Sequence, residues 1–354
     1  MTLNTESTQK NYYPCFDLLR IVLACTVMFS HSGLISGWKQ TGNFSVQIFF
    51  ALSGWLIGSI LLKLKTSDLP RFYFNRVIRI WIPYFIALGL LLTASIAHHD
   101  SINSKWFEFV FYKISFVYNI FGPPQLALHV NEMPLAGTGN HFWSINAEEQ
   151  FYLLAPLFLV LMAWLGGRKI ITWLVIAFVA FISRTYASIV FGVLAAVIVN
   201  NYGDFHTKLS AQIIIIFILI MSIFGIIAGL DYWLMAPIAA TAIVLLLAIK
   251  GKSHPWCVFV GGMSYPLYLN HWIGFFSISY LFKFFKFNNF ALWHILSIAL
   301  NLTISAALYW CVDLKILTKR TQMYSVLRGR LAIMLSYIMI IIGIYVGISL
   351  NLTQ

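Results

Sequence analysis

Arg20 and His31 stand eleven residues apart in one apolar run, close to three whole turns of an α-helix, so they would share a face roughly 16 Å apart along its axis. Asp17 falls on nearly the same stripe. Ionisable groups inside a membrane span are costly and tend to face a cavity, a partner or a pathway. The spacing predicts a charge near one membrane surface and an imidazole near mid-bilayer. A neutral imidazole is a fitting general base near neutral pH, and burial keeps it neutral. The structural alternative is an Asp17–Arg20 ion pair at a helix end, with His31 hydrogen-bonded inside a bundle.

Four further groups could carry chemistry. Arg76 and Arg79 are three apart and face one way on a helix, with Arg71 just before them. Planar guanidiniums bind phosphate oxyanions bidentately, although basic residues at a membrane edge also serve topology and lipid headgroups. Trp143-Ser144-Ile-Asn-Ala-Glu148-Glu149-Gln150-Phe151-Tyr152 places two adjacent carboxylates before an apolar run. Ser144 or Asn146 could cap that helix and the acids suit its dipole, yet one carboxylate exceeds what capping needs and could orient a catalytic histidine. Ser53-Gly54, inside an apolar run, permits close helix approach. Ser264, Tyr268 and His271 lie on one helical stripe, where hydrogen bonding between helices explains them well, and Pro266 would bend the helix there.

The elements that must position these groups are membrane helices. The chain has 354 residues, 60% of them hydrophobic and 10% charged, where a soluble domain carries about 25% charged residues. About 20 apolar residues cross a bilayer, and the candidate spans are 15–36, 43–62, 77–97, 148–166, 170–183, 185–200, 211–230, 233–249, 257–281, 290–312 and 331–350, about eleven. The expected fold is therefore all-α, a polytopic helix bundle. Residues 1–14 form a polar tail without a basic n-region, and Asp17 and Arg20 interrupt the first apolar run, so that run reads as an internal span and not a cleaved signal peptide. With eleven spans the basic clusters 63–79, 168–169, 250–252 and 315–330 share the side of the N-terminus, which should be the cytoplasm; Lys283 and Lys286 are a minor violation. Arg184 divides 170–200, and the charge rule favours two helices there. The longest loop, about 98–147, falls outside, and its aromatic stretch 106–118 suits the membrane interface.

Several classes are disfavoured. The net charge of +12 is ordinary for cytoplasmic loops of a membrane protein and is no argument for nucleic acid. Cys15, Cys25, Cys257 and Cys311 have no metal or redox spacing and read as packing residues. There is no Gly-x-x-x-x-Gly-Lys loop, no Gly-x-Ser-x-Gly elbow, no zinc-ligand spacing, and no His-x-x-x-x-Asp.

Taken in order, these segments resemble the acyltransferase-3 family of integral-membrane acyltransferases, which includes bacterial polysaccharide O-acetyltransferases. Phe16-Asp17-Leu-Leu-Arg20 with His31 looks like that family's Arg-x10-His opening, Phe49–Leu56 like its Phe-Phe-x-Leu-Ser-Gly-Phe-Leu, and Arg76 with Arg79 like its Arg-x-x-Arg. Trp143–Tyr152 looks like Trp-Ser-Leu-x-x-Glu-x-Gln-Phe-Tyr and Ser264–His271 like Ser-Tyr-x-x-Tyr-Leu-x-His. The resemblance covers about 15–320, with 321–354 holding an additional span where some members continue into an esterase-like domain. Leu18 stands where the family often has Gly, Asn75 where it often has Arg, and Trp55 and Ile145 are mild departures.

The resemblance implies a bacterial inner-membrane, multi-pass O-acetyltransferase. It implies cytoplasmic acetyl-CoA as co-substrate, no bound cofactor or metal, and a glycan or lipid-linked glycan hydroxyl as acceptor among membrane lipids. His31 would be the general base, with Asp17 and Arg20 shaping the donor channel and Glu148 orienting His31 or the sugar. Arg76 and Arg79, with Arg71, would hold the coenzyme A phosphates. Ser53, Trp143, Ser144, Tyr152, Ser264, Tyr268 and His271 would support them. The competing class is a proton-coupled transporter or flippase of a glycan-related solute, since intramembrane His, Arg and Glu fit that chemistry too; a scaffold for polysaccharide export is a third.

Overall fold

The computed structural model describes residues 12–35, 37–38, 40–100, 102–123 and 125–352, and no strand occurs among them. The longer helices among these residues are α1 (Pro14–His31), α2 (Thr41–Leu61), α3 (Leu69–Ala97), α4 (Ser104–Ile114), α5 (Trp143–Pro156), α6 (Ile170–Ile182), α7 (Ala187–Tyr202), α8 (Leu209–Ile227), α9 (Tyr232–Leu247), α10 (Pro255–Asn270), α11 (Trp272–Phe284), α12 (Phe290–Leu308), α13 (Leu314–Met323) and α14 (Val326–Leu352). Among the described residues, six stretches are long and apolar enough to cross a membrane: Pro14–His31, Thr41–Leu61, Thr66–Ala97, Leu209–Ile227, Phe290–Met323 and Val326–Leu350. Helices α6, α7, α9 and α11 are apolar but shorter. Large apolar side chains such as Ile213, Phe217, Ile220, Phe224 and Ile227 on α8 are exposed, which water would not tolerate over so many turns but lipid does. The protein is a multi-pass, all-helical membrane protein.

The chain divides into two compact units, Met1–Leu64 with Ala155–Tyr268, and Lys65–Leu154 with Leu269–Gln354. In the first, α2 and α7 meet backbone to backbone. A Cβ on Gly54 would lie 2.0 Å from the Ile189 carbonyl oxygen, and one on Gly192 would lie 2.1 Å from that of Ala51. Only glycine admits this approach, and it explains Ser53-Gly54 as the packing feature its composition suggested. Beside the crossing, buried Ser188 donates to Gln47 Oε1 at 2.5 Å, so two polar groups satisfy one another within the apolar contact. The 170–200 stretch is indeed two helices. Arg184 and Tyr186 between them take left-handed backbone (φ 58° and 50°), and Arg184 pairs with Asp231 at 2.7 Å.

In the second unit α3 begins at Leu69, earlier than the expected 77, because Pro70 supplies a favoured helix start; Arg71, Arg76 and Arg79 are therefore helical. Helix α14 packs along this unit through small residues: Cβ atoms on Gly343 and Gly347 would crowd Ser115 and Phe121. The single span expected over 257–281 is broken at His271. The amide of Gly274, a donor with no partner inside α11, donates to Asn301 Oδ1 at 2.7 Å, so a side chain of α12 takes up a hydrogen bond that the break leaves open. The run 148–166 is likewise not one helix: α5 ends at Pro156 and a π turn, Leu157–Leu161, follows. The first span stops at His31, not at 36.

Candidate functional site

The residues singled out by type and spacing fall in both units. Asp17, Arg20, His31, Ser53, Ser264 and Tyr268 belong to the first, and Arg71, Arg76, Arg79, Trp143, Ser144, Glu148, Tyr152 and His271 to the second.

In the first unit Asp17 is the organising group. Arg20 donates to its Oδ1 at 2.9 Å and the Tyr12 hydroxyl donates to Oδ2. Helix α10 makes room for it at Gly261, where a Cβ would come within 2.4 Å of the Asp17 Cβ. One turn on, the Ser264 hydroxyl donates to the Gly261 carbonyl at 2.6 Å. Tyr268 on the same helix meets Phe49 of α2 edge to face, centroids 6.0 Å apart. Helix α10 thus packs on α1 at Asp17 and on α2 at Phe49. His31 is the last residue of α1 and is exposed. It sits at the far end of that helix from Asp17.

The second unit holds the guanidiniums. Arg76 lies over the Phe72 and Tyr152 rings, 5.6 and 5.7 Å from their centroids, in cation–π geometry. Tyr152 in turn donates to Glu148 Oε2 at 3.1 Å. Glu149 is the deeper carboxylate, 3% exposed, accepting from Trp81 Nε1 at 3.2 Å while its Oε1 has no hydrogen-bond partner; its charge interacts with that of Arg76. Sequence reasoning chose Glu148 of the adjacent pair; which of two neighbours turns inward depends on Trp81, 68 positions away.

Asp313 was missed altogether. It is 9% exposed, closes a π turn at Tyr309–Asp313, and leaves Oδ2 without a hydrogen-bond partner. Its electrostatic partner is Arg79. The signal was present: Asp313 is the last acidic residue of the chain and lies in an apolar run. Inserted turns of this kind recur at functional sites.

Ser144 and Asn146 do not cap α5, which starts at Trp143. Ser144 donates to the His141 carbonyl at 3.2 Å. Asn146 accepts from the Tyr118 amide at 3.0 Å and donates to the Tyr84 hydroxyl at 3.1 Å, and Tyr84 donates to the Lys113 carbonyl at 2.9 Å. These residues fasten α5 to the 98–141 segment instead. Trp143 packs on the cluster of Phe109, Tyr112, Val117, Tyr118 and Met133. His271 is buried with its ring 4.7 Å from that of His141, whose Nε2 meets the Leu269 carbonyl at 3.2 Å. A carbonyl only accepts, so that nitrogen carries the proton.

Lys113, another residue the sequence did not single out, is 1% exposed with no hydrogen-bond partner for Nζ, which lies 3.2 Å from the Tyr118 ring centroid. Burial holds its pKa well below the usual lysine value. Asp100 closes the other side of the segment. Burial acts to raise its carboxyl, but hydrogen bonds from Ser95, His98 and the Leu135 amide, with the charge of His98, outweigh that and hold it below the usual carboxylate range.

Comparison with known proteins places the chain in a family. The acyltransferase-domain profile of the acyltransferase-3 family matches residues 13–310. The peptidoglycan O-acetyltransferase OatA of Listeria monocytogenes is 30% identical over 191 residues, 49% of this chain and 28% of that protein. The O-acetyltransferase OatA of Staphylococcus aureus is 25% identical over 307 residues, 74% of this chain and 50% of that protein. The chain thus spans half or less of the length of these relatives. No solved structure matches it. The profile covers the Asp17–Arg20 pair with His31, the Arg76–Arg79 pair, the Glu148–Glu149 helix and the Ser264–His271 stripe, and on that match the chain belongs to the acyltransferase-3 family.

Proposed function

We propose that the protein is a membrane O-acetyltransferase that moves an acetyl group from cytoplasmic acetyl-CoA to a hydroxyl of a cell-surface glycan. The observation that carries the donor assignment is the helical Arg76–Arg79 pair, flanked by Arg71, beside carboxylates that do not engage every guanidinium N–H. Multiply charged phosphates suit such a group. Family membership supports acyl transfer, and the similarity to the peptidoglycan O-acetyltransferase of Listeria monocytogenes makes peptidoglycan the first acceptor to try.

In this reading His31 accepts the proton of the acceptor hydroxyl as its oxygen attacks the thioester carbonyl carbon. The C–S bond then breaks and the coenzyme A thiolate departs, taking up a proton. A positioned base of this kind contributes typically about 10²–10⁴-fold, and donor positioning and oxyanion stabilisation supply further acceleration. Asp17 fixes the orientation of Arg20 beside the donor path, and Glu148, held by Tyr152, serves the sugar or the base. The protein sits in the bacterial inner membrane with about eleven crossings and a cytoplasmic N-terminus.

The test uses detergent-purified protein, [acetyl-¹⁴C]acetyl-CoA and purified peptidoglycan or other envelope polysaccharide. Wild type is expected to label the glycan, and a folded His31→Ala variant to lose at least 10²-fold in rate. Arg76→Ala/Arg79→Ala is expected to lose donor binding. Normal transfer by His31→Ala sinks the base assignment, and absence of any acetyl-CoA binding by wild type sinks the donor.

A further inference from the structure

The stretch 313–329, which lies outside the residues matched by the family profile, runs back along the arginine-bearing end of α3. Several contacts set its register. Asp313 interacts electrostatically with Arg79. The Tyr324 ring lies 5.6 Å from that of Phe74 and 5.7 Å from the Arg71 guanidinium. A Cβ on Gly329 would come within 2.6 Å of the Pro70 carbonyl oxygen. As one strand of contacts rises from 313 to 329, the other falls from 79 to 70, so α13 lies antiparallel to the first turns of α3. The lengths are similar: the ten residues of α13 rise about 15 Å, and the eight steps from Arg71 to Arg79 about 12 Å.

Arg320 falls between these fixed points. It is half-buried, while Lys315 and Lys319 on the same helix are exposed. Its charge interacts with those of Arg71, Arg76 and Arg79. Arg320 is therefore held within electrostatic range of three other guanidiniums, with Glu149 set against Arg76 and Asp313 against Arg79. Glu148 already accepts from Tyr152, and Glu149 from Trp81. Like charges drawn together in a partly buried place, with positive charge in excess, call for an anion.

We propose that Arg320 is a further phosphate-binding residue, which with Arg71 and Arg79 takes the clustered phosphates of the donor, and that Asp313 is the residue that positions Arg79 for it. The ligand's identity as coenzyme A rests on the reading above; the phosphate chemistry does not. Lipid headgroup phosphate is the other source of the same chemistry, and the membrane composition separates the two.

The experiment places the full chain in phosphatidylcholine nanodiscs and titrates coenzyme A, 3′-dephospho-coenzyme A and inorganic pyrophosphate. Arg320→Gln is expected to weaken coenzyme A about tenfold or more, as loss of a charge-assisted contact does. Arg320→Lys should recover part of that loss, and Lys315→Ala and Lys319→Ala should change nothing. Asp313→Asn is expected to raise the KM for donor at unchanged kcat, with Asp313→Glu restoring it; equal loss of kcat and thermal stability without rescue would mark a merely structural residue and overturn its role. Unaltered coenzyme A affinity in Arg320→Gln, together with reduced retention of phosphatidylglycerol in anionic nanodiscs, would assign the residue to lipid and overturn the proposal. If wild type binds no coenzyme A, the donor reading fails by itself. The phosphate site then stands if pyrophosphate binds and Arg320→Gln abolishes it, and falls if pyrophosphate does not bind.

Discussion

Two ionisable groups with opposite accounts, half-buried Asp100 and buried Lys113, lie in the 98–141 segment. Leu135 and Ala136 are in left-handed backbone (φ 46° and 51°), a conformation costing roughly 1–2 kcal/mol per residue without glycine. Asp100 Oδ2 accepts from the Leu135 amide at 2.6 Å and from Ser95 at 2.5 Å, which holds the turn. Its carboxyl is depressed, so the stabilisation is present above the unfolded value of 3.8 and is lost as pH falls through the folded one. Asp100→Asn should lower Tm at neutral pH, by roughly 1–3 kcal/mol of stability, and the difference from wild type should close as the pH is taken below about 4; an unchanged Tm at pH 7 would show that the turn stands without the carboxylate. Lys113 has the reverse sign. Its lowered folded pKa means that the unfolded chain binds more protons, so the penalty is full below the folded pKa and is relieved as pH rises towards 10.5. Lys113→Met should raise Tm at neutral pH, with the gain shrinking on the alkaline side. Neither residue was legible as such: a lysine in an aromatic stretch reads as an interfacial anchor, and only the folded chain, with the Tyr118 ring over Nζ and Gly139 against Cε, makes Lys113 a buried one. Asp17, Arg20, Arg76 and Arg79 were legible because charge in an apolar run is itself the signal. The same reasoning, carried past residue 310, would have found Asp313.

At the scale of elements, apolar length and helix breakers foretold most of what forms. Arg184 marks a real division of 170–200 because a left-handed turn there reverses the chain. The break at His271 was hidden because its partner is Asn301 of α12, and no local pattern announces a hydrogen bond across 27 residues. The α2–α7 crossing gives the sharpest test of how elements are held. Gly192 faces the Ala51 carbonyl at a distance no Cβ could keep, whereas nothing lies within 4 Å of a Cβ on Gly89 in α3. Gly192→Ala should therefore destabilise by roughly 1–3 kcal/mol or more, since backbone must move to admit one methyl group. Gly89→Ala should be neutral or stabilising by up to about 1 kcal/mol through helix propensity. Detergent-resistance or thermal-shift curves on the two variants read the difference directly, and equal melting would mean that α2 and α7 are free to separate.

For the whole molecule the question is which side each loop faces. The helices α6 and α7, with 13 and 16 residues, rise only about 20 and 24 Å, less than the roughly 30 Å hydrocarbon core. Either both cross, with local thinning or snorkelling at their ends, or the pair dips in and returns. Both arrangements leave the 168–169 and 250–252 basic clusters on one side, as the charge rule requires; a single crossing would put them on opposite sides. Cysteine labelling separates all three. In a variant with Cys15, Cys25, Cys257 and Cys311 replaced, single cysteines are placed at positions 129, 185 and 252 and treated with a membrane-impermeant maleimide on intact cells. Position 129, after three crossings from a cytoplasmic N-terminus, should label from outside, and position 252 only in inverted vesicles. Position 185 should label from outside if α6 and α7 both cross, and from neither side if they are re-entrant. Labelling of 252 from outside would mean that 170–200 crosses once. The basic ends of α3 and α13 would then lie on opposite sides of the membrane from one another in any orientation, and since Tyr324 of the chain after α13 touches Phe74 and Arg71 of α3, that outcome would contradict the packing of the second unit itself.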